Sequence, residues 1–566
     1  MLWLRKRWRD PELAPDEIFL DATNTGDFDH ARFEGRIEQP LSRTTYVVIP
    51  IVMLMAFLGL GARAMDLQVV QGSSLAEQSA HNSLAVTTLF APRGLITDVN
   101  GVVIVDNAEG PDGSVRRRYR IPAMGQIIGY VSYPKKDASG NYYDTAEKGI
   151  AGLEAEYDAL LTGTNGQKLV ETDALGRIRS EGLVVPARAG STLRLSVDAD
   201  LEREFATAIS SVARKFGFIA GAGVIMDVET GGVRAIVSYP SYDPNVMSDG
   251  GPSEIIAGYN QAPGHPFLDH AVGGVYTPGS IVKPFVSAGA LSDGLITQYT
   301  VINDPGSLSI PDPYHPGKSF LYKGWKALGP VDVRKAIAWS SDVFFYTLGG
   351  GFEGQKGLGI DRLNYWYKTF GLGSSTGVNL PGEVVGLLPT PEWKKRTFNE
   401  PWYLGDTYFT AIGQYSMQIT PIQAVRATAA VANGGTLLTP SLLADTGSTG
   451  TRVPVDPAFL AIVREGMRQS VTSALAGALN LPYVSVAAKT GTAQVGTRNQ
   501  FDNSWVEGFF PYDHPRYAFA VVLERGPEGA GEQAVNVMRD LFVALHAQDS
   551  VYTGGSGTAS STTLAP

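Results

Sequence analysis

The order of hydrophobic and polar positions divides the chain into four stretches of different texture. Residues 1–43 mix charges of both signs with proline and asparagine, and residues 44–62 are uncharged and apolar. Residues 66–196 carry short alternating runs separated by glycines, and from 197 onward strand patterns enclose a helical middle. The pattern predicts an N-terminal segment, a transmembrane helix, a β-rich domain and a larger α+β domain.

The apolar stretch is long enough to cross a bilayer. At about 1.5 Å per residue, Thr44–Ala62 matches a hydrocarbon core of roughly 30 Å, so we predict a single transmembrane helix at 44–63. A signal peptide is an alternative, although the stretch lies far from the N-terminus; a buried core helix is another. Arg36 and Arg43 precede the stretch and favour a cytoplasmic segment at 1–43, which would place the remainder outside the cytoplasm.

The next domain, predicted at 64–196, has no grouping of acid and base residues. Its run from Leu95 to Ile104 contains Asn100-Gly101 and indicates a hairpin, while Gly149–Leu161 is typical of a short helix. We therefore expect a structural or partner-binding role for it.

The last domain, predicted at 197–548, begins and ends with strand patterns. A helix is expected over Asp198–Phe216, and the other expected elements are strands at 221–227, 233–238, 483–494, 505–510 and 517–524 and a helix at 532–547. This order indicates one antiparallel sheet in which early and late strands meet, with helices packed on both faces. The Gly/Ser/Thr-rich end, 549–566, is predicted to be disordered.

Composition narrows the possible partners. The formal net charge is -10 and there is no long Lys/Arg stripe, which argues against nucleic acid. The chain has no cysteine, only seven histidines and no H-E-x-x-H motif, so we expect neither a disulfide nor a metal site, and no cofactor.

Candidate chemistry begins at Ser280-Ile-Val-Lys283, which follows Thr277-Pro278-Gly279 and precedes Pro284. Proline is tolerated only in the first turn of a helix, so a helix must begin close to Ser280. The serine would then meet free backbone N–H groups, and the lysine three residues later would share its face. This places a nucleophile beside a base, although S-x-x-K also arises by chance, as at Ser132–Lys135, which we predict to be a loop.

Two further clusters share the last domain with Ser280. Ser340-Ser341-Asp342 precedes an aromatic run, and a helix cap is the alternative interpretation of these residues. Lys489-Thr490-Gly491-Thr492 lies on an expected strand, and an exposed edge strand with a bulge is the alternative there. A second cation near Lys283 would favour the neutral amine that a general base requires, and burial would add to this. Alternation places Lys489 and Thr490 on opposite faces, so the pattern alone does not bring both to one site.

The ordered set resembles the S-x-x-K, S-D-N and K-T-G motifs of penicillin-binding proteins and serine β-lactamases. The residues in and around these motifs resemble class B enzymes of the elongation-type penicillin-binding protein 2 group. The segments that carry this resemblance are APRGLITDVNG, GLEAEYDALLTGTNG, VSYPSYDPN, TPGSIVKPF, SSDVFFYTLGGGFE, GDTYFTAIGQYSMQITPIQ and AAKTGTAQVG. The resemblance extends from the apolar stretch to about residue 547.

That resemblance implies a membrane-anchored peptidoglycan D,D-transpeptidase that is a target of β-lactams. Ser280 would be the nucleophile, Lys283 the base and Ser340 a proton relay, while Asp342 stands where the family usually has Asn. The likeness further implies that Lys489, Thr490 and Thr492 hold the donor's carboxylate, and that backbone N–H groups of Ser280 and Thr492 form the oxyanion hole. Gly491 is expected to let a peptide substrate lie close to the strand.

The resemblance also implies that the 64–196 domain is a pedestal which contacts a RodA-type glycosyltransferase in the bacterial inner membrane. Three other functions stay open: a β-lactamase, a D,D-carboxypeptidase, and a non-catalytic β-lactam sensor or scaffold. The span and the extra domain disfavour the β-lactamase. Asp342 also raises a question, because its negative charge would favour protonated Lys283.

Overall fold

The computed structural model describes residues 43–81, 84–109, 115–138, 142–172 and 178–555. The described residues divide into two compact units, those between 43 and 85 with those between 169 and 182, and those between 86 and 168 with those between 183 and 555. Apart from Arg43, the predicted cytoplasmic segment at 1–43 lies outside the described residues.

An apolar helix is the main element of the first unit. Helix α1 spans Arg43–Met65, a π-helical turn spans Asp66–Val70, and α2 spans Gly72–His81. Within the described residues one helical stretch, Tyr46–Val70, is long and apolar enough to cross a membrane, with a mean hydropathy of 2.1 and none of it buried. The predicted apolar helix is therefore confirmed and the buried core helix is excluded, while the signal-peptide alternative stays open.

The β-rich segment builds several small sheets. Its elements are β1 Leu84–Leu89, β2 Ile96–Thr97, β3 Val103–Glu109, β4 Val115–Tyr119, α3 Gly125–Ile128, β5 Val131–Ser132, β6 Lys135–Lys136, β7 Tyr142–Asp144, β8 Lys148–Gly149, α4 Gly152–Glu156, α5 Asp158–Leu161, β9 Gly166–Thr172, β10 Ile178–Val185 and β11 Leu193–Arg194. The strand orders are β1-β9-β10, β11-β2-β3-β4, β5-β8 and β6-β7. The predicted Asn-Gly hairpin joins β2 to β3, with Gly101 at φ 84°. Ser132 and Lys135 lie on two different short strands, β5 and β6, so the predicted loop was wrong for these two residues.

The sheet of the last domain has five antiparallel strands in the order β13-β12-β22-β21-β20. The strands are β12 Ala220–Asp227, β13 Val233–Tyr239, β20 Ala487–Val495, β21 Phe501–Phe510 and β22 Tyr517–Pro527. Pairing of β12 with β22 confirms that early and late strands meet. This pairing leaves β20 at an edge of the sheet.

Both faces of the sheet are covered, which explains why its strands are apolar at consecutive positions. In β22 the side chains of Ala518, Ala520 and Val522 join one core cluster, and those of Phe519, Val521 and Leu523 join another. Helix α6, Ala199–Phe216, supplies residues to the second cluster. The side chain of Asp198 caps α6 by accepting the N–H groups of Asp200 and Leu201.

Between the early and late strands lies a helical middle. Its elements are α7 Pro244–Asp249, α8 Ser253–Gln261, α9 Lys283–Ser292, β14 Ile302–Asp304, β15 Ser307–Pro311, β16 Ser319–Lys323, β17 Gly329–Val331, α10 Val333–Ala338, α11 Asp342–Gly350, α12 Gly359–Thr369, α13 Pro391–Phe398, α14 Leu404–Ala411, α15 Pro421–Ala432, β18 Thr436–Leu438, β19 Gly450–Arg452 and α16 Pro457–Ser473, and α17 Ala534–Ala547 follows the sheet.

The predicted disordered end was wrong in its first part. Residues Val551–Thr553 form a 3₁₀ turn in which Tyr552 is buried. The Tyr552 hydroxyl donates to the Asp198 carboxylate, so an aromatic side chain anchors a segment whose Gly/Ser/Thr composition alone indicated disorder. Residues 556–566 lie outside the described part of the chain.

Candidate active site

The segment around Ser280 is a tight turn that leads into a helix. A 3₁₀ turn spans Gly279–Val282, and α9 begins at Lys283 with Pro284 in its first turn. This confirms that a helix begins close to Ser280, although the serine itself lies in the 3₁₀ turn. Gly279 has φ 58°, and a Cβ there would lie 2.5 Å from the Thr492 carbonyl oxygen. A side chain at this position would therefore push the serine away from strand β20.

Lys283 extends from the start of α9 to the residues before α11. Its Nζ donates to the Ser340 carbonyl at 2.9 Å, to Ser340 Oγ at 3.0 Å and to Asp342 Oδ1 at 2.6 Å. Ser340 has φ 55°, a left-handed conformation that is uncommon outside glycine. The hydrogen bonds of Lys283 Nζ thus go to Ser340 and Asp342 rather than to the Ser280 hydroxyl.

The environment of Lys283 answers the question raised by Asp342. The side chain is fully buried, and burial lowers the pKa of Lys283 even though the carboxylates of Asp342 and Asp304 act to raise it. A neutral amine keeps two N–H donors, enough for the Ser340 carbonyl and Asp342, and its lone pair can accept the Ser340 hydroxyl. The same contacts therefore fit both protonation states, and Asp342 does not force the lysine to be charged.

Burial has the largest effect on the pKa of both lysines, Lys283 and Lys489. The sequence had instead indicated repulsion from a second cation as the first cause and burial as an addition to it. The pKa of Lys489 is well below its usual range because of burial and then the charge of Lys283. Desolvation can shift a buried lysine by several pKa units, so it is the stronger of the two effects.

The helix-cap interpretation of Ser340-Ser341-Asp342 is confirmed for Ser341, whereas the side chains of Ser340 and Asp342 contact Lys283. Ser341 is the N-cap of α11, and its Oγ accepts the Phe344 N–H at 3.1 Å. The same hydroxyl donates to Asp304 on β14. The cap orients the start of α11, so that Ser340 on one side and Asp342 on the other both reach Lys283.

Strand β20 divides its motif between two faces, as alternation indicates. Thr490 and Thr492 line the cleft, whereas Lys489 is fully buried and its Nζ donates to the Thr490 carbonyl at 2.7 Å. The Thr492 hydroxyl donates to the Gly531 carbonyl at 2.8 Å. The two threonines are therefore the residues of this motif that border the cleft.

Gly491 packs against the turn that carries Ser280. A Cβ at this position would lie 2.9 Å from both the Pro278 carbonyl oxygen and Ile281 Cγ2. The missing side chain thus makes room for the turn that carries Ser280. Trp505 reinforces this packing, because its Nε1 donates to the Thr277 carbonyl at 3.0 Å.

These residues surround a cleft of about 780 Å³. Among the predicted site residues, Ser280, Ser340, Asp342, Thr490 and Thr492 line it. Sequence reasoning assigned no role to several others in the wall, including Lys323, Trp325, Tyr346, Phe409, Gln414, Tyr415, Asn499 and Glu532. Gln414 belongs to a segment that carried the family resemblance, and its Nε2 donates to the Thr492 carbonyl at 3.2 Å. Within the described residues, no three His, Cys, Asp or Glu side chains group as metal ligands would.

Comparison with protein families identifies two matching regions. Residues 221–542 match the penicillin binding protein transpeptidase domain, and residues 111–195 match the penicillin-binding protein dimerisation domain. The chain belongs to the penicillin-binding protein transpeptidase family. Within this family its relatives assign it to the class B penicillin-binding protein 2 group.

Three relatives illustrate the likeness of this class B chain. The peptidoglycan D,D-transpeptidase MrdA of Escherichia coli K12 is 34% identical over 76% of this chain and 71% of its own length. The Pseudomonas aeruginosa PBP2 structure in complex with WCK 5153 is 31% identical, with a TM-score of 0.67 over 81% of this chain and 96% of that one. A chain from a peptidoglycan synthase complex that coordinates polymerization and crosslinking is 27% identical, with a TM-score of 0.69 over 91% and 99%.

Proposed function

We propose that the chain is a membrane-anchored peptidoglycan D,D-transpeptidase that cross-links stem peptides through an acyl-enzyme on Ser280 during cell-wall elongation. One observation carries this proposal: the Ser280 turn, the Lys283–Ser340–Asp342 cluster and the edge strand β20 meet at a single cleft. The same cleft would accept β-lactams, which mimic the peptide donor and acylate the serine.

The acyl transfer would proceed in two steps, acylation of Ser280 and transfer of the acyl group to an amine. Ser280 Oγ attacks the carbonyl of the penultimate D-Ala, its proton passes to neutral Lys283, and the terminal D-Ala leaves with a proton on its amine. An amine of a neighbouring stem peptide then attacks the ester and loses a proton to the base, so that the Ser280 hydroxyl is restored. The 3.0 Å contact between Lys283 Nζ and Ser340 Oγ supports Ser340 as the relay to the leaving amine.

Backbone contacts support the oxyanion hole at the N–H groups of Ser280 and Thr492. The Gly279 N–H donates to the Gly413 carbonyl at 2.8 Å, and Gly279 lies directly against Thr492. These contacts fix the Ser280 turn beside β20. Each oxyanion donor is worth about 3–4 kcal/mol of transition-state stabilisation in serine enzymes.

The donor's carboxylate would lie along β20. Thr490 and Thr492 border the cleft there, and the charge of Lys489 would act on the carboxylate from beneath the strand. An edge strand can also pair with an extended peptide, which suits a stem peptide.

Membrane attachment and partners extend this proposal. The stretch Tyr46–Val70 would anchor the chain in the bacterial inner membrane, with the N-terminus inside and the cleft outside. The pedestal and the anchor would contact a RodA-type glycosyltransferase, an inference supported by the similarity to a chain of a peptidoglycan synthase complex. If a variant without residues 66–196 still activated polymerisation by the partner, the pedestal would not be the contact.

Labelling with a fluorescent penicillin tests the nucleophile. We expect the purified full-length chain to be labelled and Ser280→Ala to abolish labelling, because the Ser280 hydroxyl is the group that forms the ester. Ser132→Ala is the matched control, since Ser132 belongs to the second S-x-x-K sequence, lies on β5 and should leave labelling unchanged. Undiminished labelling of Ser280→Ala would refute the assignment.

Product analysis separates the remaining functions. With a stem-peptide donor and an amine acceptor, we expect a cross-linked product. Hydrolysed donor alone would indicate a D,D-carboxypeptidase. Penicillin labelling without either product would indicate a sensor or scaffold.

A further inference from the structure

A buried acidic residue lies next to Lys489 on the neighbouring strand. Lys489 of β20 and Glu507 of β21 are directly paired in the antiparallel register. Side chains at directly opposed positions point to the same face of a sheet, with Cβ atoms about 4.5–5.5 Å apart. Both side chains are fully buried. Glu507 therefore lies beside Lys489 on the same buried face of the sheet, one strand away from the edge strand that borders the cleft.

Glu507 has one acceptor oxygen without a donor, and Lys489 makes fewer hydrogen bonds than an ammonium group can donate. Glu507 Oε2 accepts the Thr428 hydroxyl at 2.9 Å, whereas Glu507 Oε1 has no partner in the described structure. Lys489 Nζ donates to the Thr490 carbonyl, and an ammonium has three N–H donors. A buried acceptor without a donor is costly, and the paired Lys489 is a charged donor that acts on Glu507.

We propose that Glu507 is a positioning residue for the reaction: its carboxylate acts as the buried counter-charge that keeps Lys489 protonated for the substrate's carboxylate. This inference rests on the proposed function, because it assigns Lys489 to the carboxylate of the donor. Glu507 itself does not touch the substrate. It acts through Lys489, which either carries or lacks a proton depending on the charges around it.

Other charged groups also surround this pair. Lys283 of α9, Asp342 of α11 and Glu532 before α17 act on Lys489 together with Glu507, and of these only Lys283 lowers its pKa. From α16, Arg468 donates to the Val486 carbonyl and Arg464 to the Ala432 carbonyl. From α15, Thr428 is the hydrogen-bond donor to Glu507.

The sign of the effect follows from the charges. Burial has the largest effect on both groups: it lowers the pKa of Lys489 well below its usual range and raises the pKa of Glu507 well above its usual range. A negative Glu507 opposes burial by raising the pKa of Lys489, and a positive Lys489 opposes it by lowering the pKa of Glu507. Removing the carboxylate would therefore lower the pKa of Lys489 further. Lys489 would then lose its proton at a lower pH, and the alkaline limb of any rate that needs its charge would move to lower pH.

Glu507→Gln tests the inference, because glutamine keeps the size and the oxygen that accepts from Thr428 but has no charge. The measurement is the rate of acylation against pH, with a penicillin that carries its carboxylate and with the methyl ester of the same penicillin. For the carboxylate form we expect the alkaline limb of the Glu507→Gln profile to lie at least about one pH unit lower than that of the parent. At pH values above both limbs, the variant should therefore be acylated about tenfold more slowly than the parent. For the ester we expect no such shift.

Glu202→Gln is the matched control. Glu202 is also fully buried and also has one oxygen without a partner, but it accepts the Ile236 N–H and is not among the groups that act on Lys489. Its substitution should leave the alkaline limb in place. If Glu507→Gln fails to fold, Thr428→Val serves instead, because loss of the donor disfavours the carboxylate and should move the same limb in the same direction by less.

An unchanged alkaline limb in Glu507→Gln, or an equal loss of rate with both penicillins, would overturn the inference. These results are distinguishable from failure of the proposed function. The latter would appear as undiminished labelling of Ser280→Ala, whereas the profile of Glu507→Gln is read against a parent chain that is acylated on Ser280.

Discussion

Asp342→Asn is the perturbation that most directly tests how Lys283 acts as a base. Burial lowers the pKa of this lysine, and the carboxylate of Asp342 partly opposes that effect from 2.6 Å. Asparagine keeps an oxygen that can accept the lysine N–H but removes the charge. The pKa of Lys283 should therefore fall further, and the amine should be available as a base at lower pH.

The size of the shift can be bounded from the distance. Two unit charges 2.6 Å apart interact by about 6 kcal/mol at an effective dielectric constant of about 20, and by about 1.6 kcal/mol in water. The Asp342 side chain is 16% exposed, so its environment lies between these limits. At about 1.4 kcal/mol per pKa unit, the pKa of Lys283 should fall by at least about one unit and by no more than about four or five.

The assay is the rate of acylation by fluorescent penicillin as a function of pH. We expect the acid limb in Asp342→Asn to move to lower pH by at least about one unit. Asp304→Asn is the control, since Asp304 acts on Lys283 in the same direction but does not bond to it, and should give a smaller shift. An acid limb that stays in place or moves to higher pH would refute the electrostatic account.

Three further substitutions test the packing and the charges of the fold. Gly491→Ala should lower acylation at least tenfold with little loss of thermal stability, because the new Cβ would press on Ile281 and displace the Ser280 turn. Burial raises the pKa of Glu202 to about 8, so between about pH 4.5 and 8 this carboxyl is ionised in the unfolded chain but not in the folded one. The stability of the parent chain should therefore fall as the pH rises through this range, by up to about 5 kcal/mol. Glu202→Gln should flatten this fall. Ser341→Ala should lower the stability by about 1 kcal/mol in a denaturant melt, because the Phe344 N–H loses its cap.

Each of these has an outcome that would contradict it. Wild-type acylation by Gly491→Ala would mean that the turn tolerates a methyl group. A Glu202→Gln variant with the same pH dependence as the parent would mean that this carboxyl ionises normally. An unchanged denaturant midpoint in Ser341→Ala would mean that the cap does not stabilise α11. Thr390→Ala is the control for this variant, because Thr390 caps α13 in the same way and should cost a similar stability.

The strands and helices of the catalytic domain were largely predictable from the sequence, because periodicity reports which faces are buried. The helix over Asp198–Phe216 was predicted to within one residue, since both its cap and its apolar stripe are local signals. Strand β20 begins at Ala487 rather than at Tyr483, because its start depends on pairing with β21 and not on composition. The anchoring of Tyr552 likewise depends on a partner, Asp198, that is distant in sequence.

The residues of the site were predictable as motifs, but their energetics were not. Local spacing places Lys283 three residues after Ser280, yet its hydrogen-bond partners come from a segment almost sixty residues later. Only the folded structure shows that the lysine is fully buried, and burial is what keeps its pKa low. The negative charge of Asp342 was expected to disfavour neutral Lys283. In the structure the Asp342 carboxylate accepts a hydrogen bond from the lysine, which the neutral amine can also donate.

The glycines of the site show why chemistry and packing are inseparable here. Gly279, Gly413 and Gly491 each lie where a Cβ would collide with backbone of the opposing segment, at 2.5, 2.1 and 2.9 Å. Three segments distant in sequence thus approach one another through their main chains, and this approach places the Ser280 turn against β20. An oxyanion hole built from backbone N–H groups depends on that spacing to a fraction of an ångström. Substitutions at these glycines should therefore alter the acylation rate before they alter the fold, even though none of the three carries a functional group.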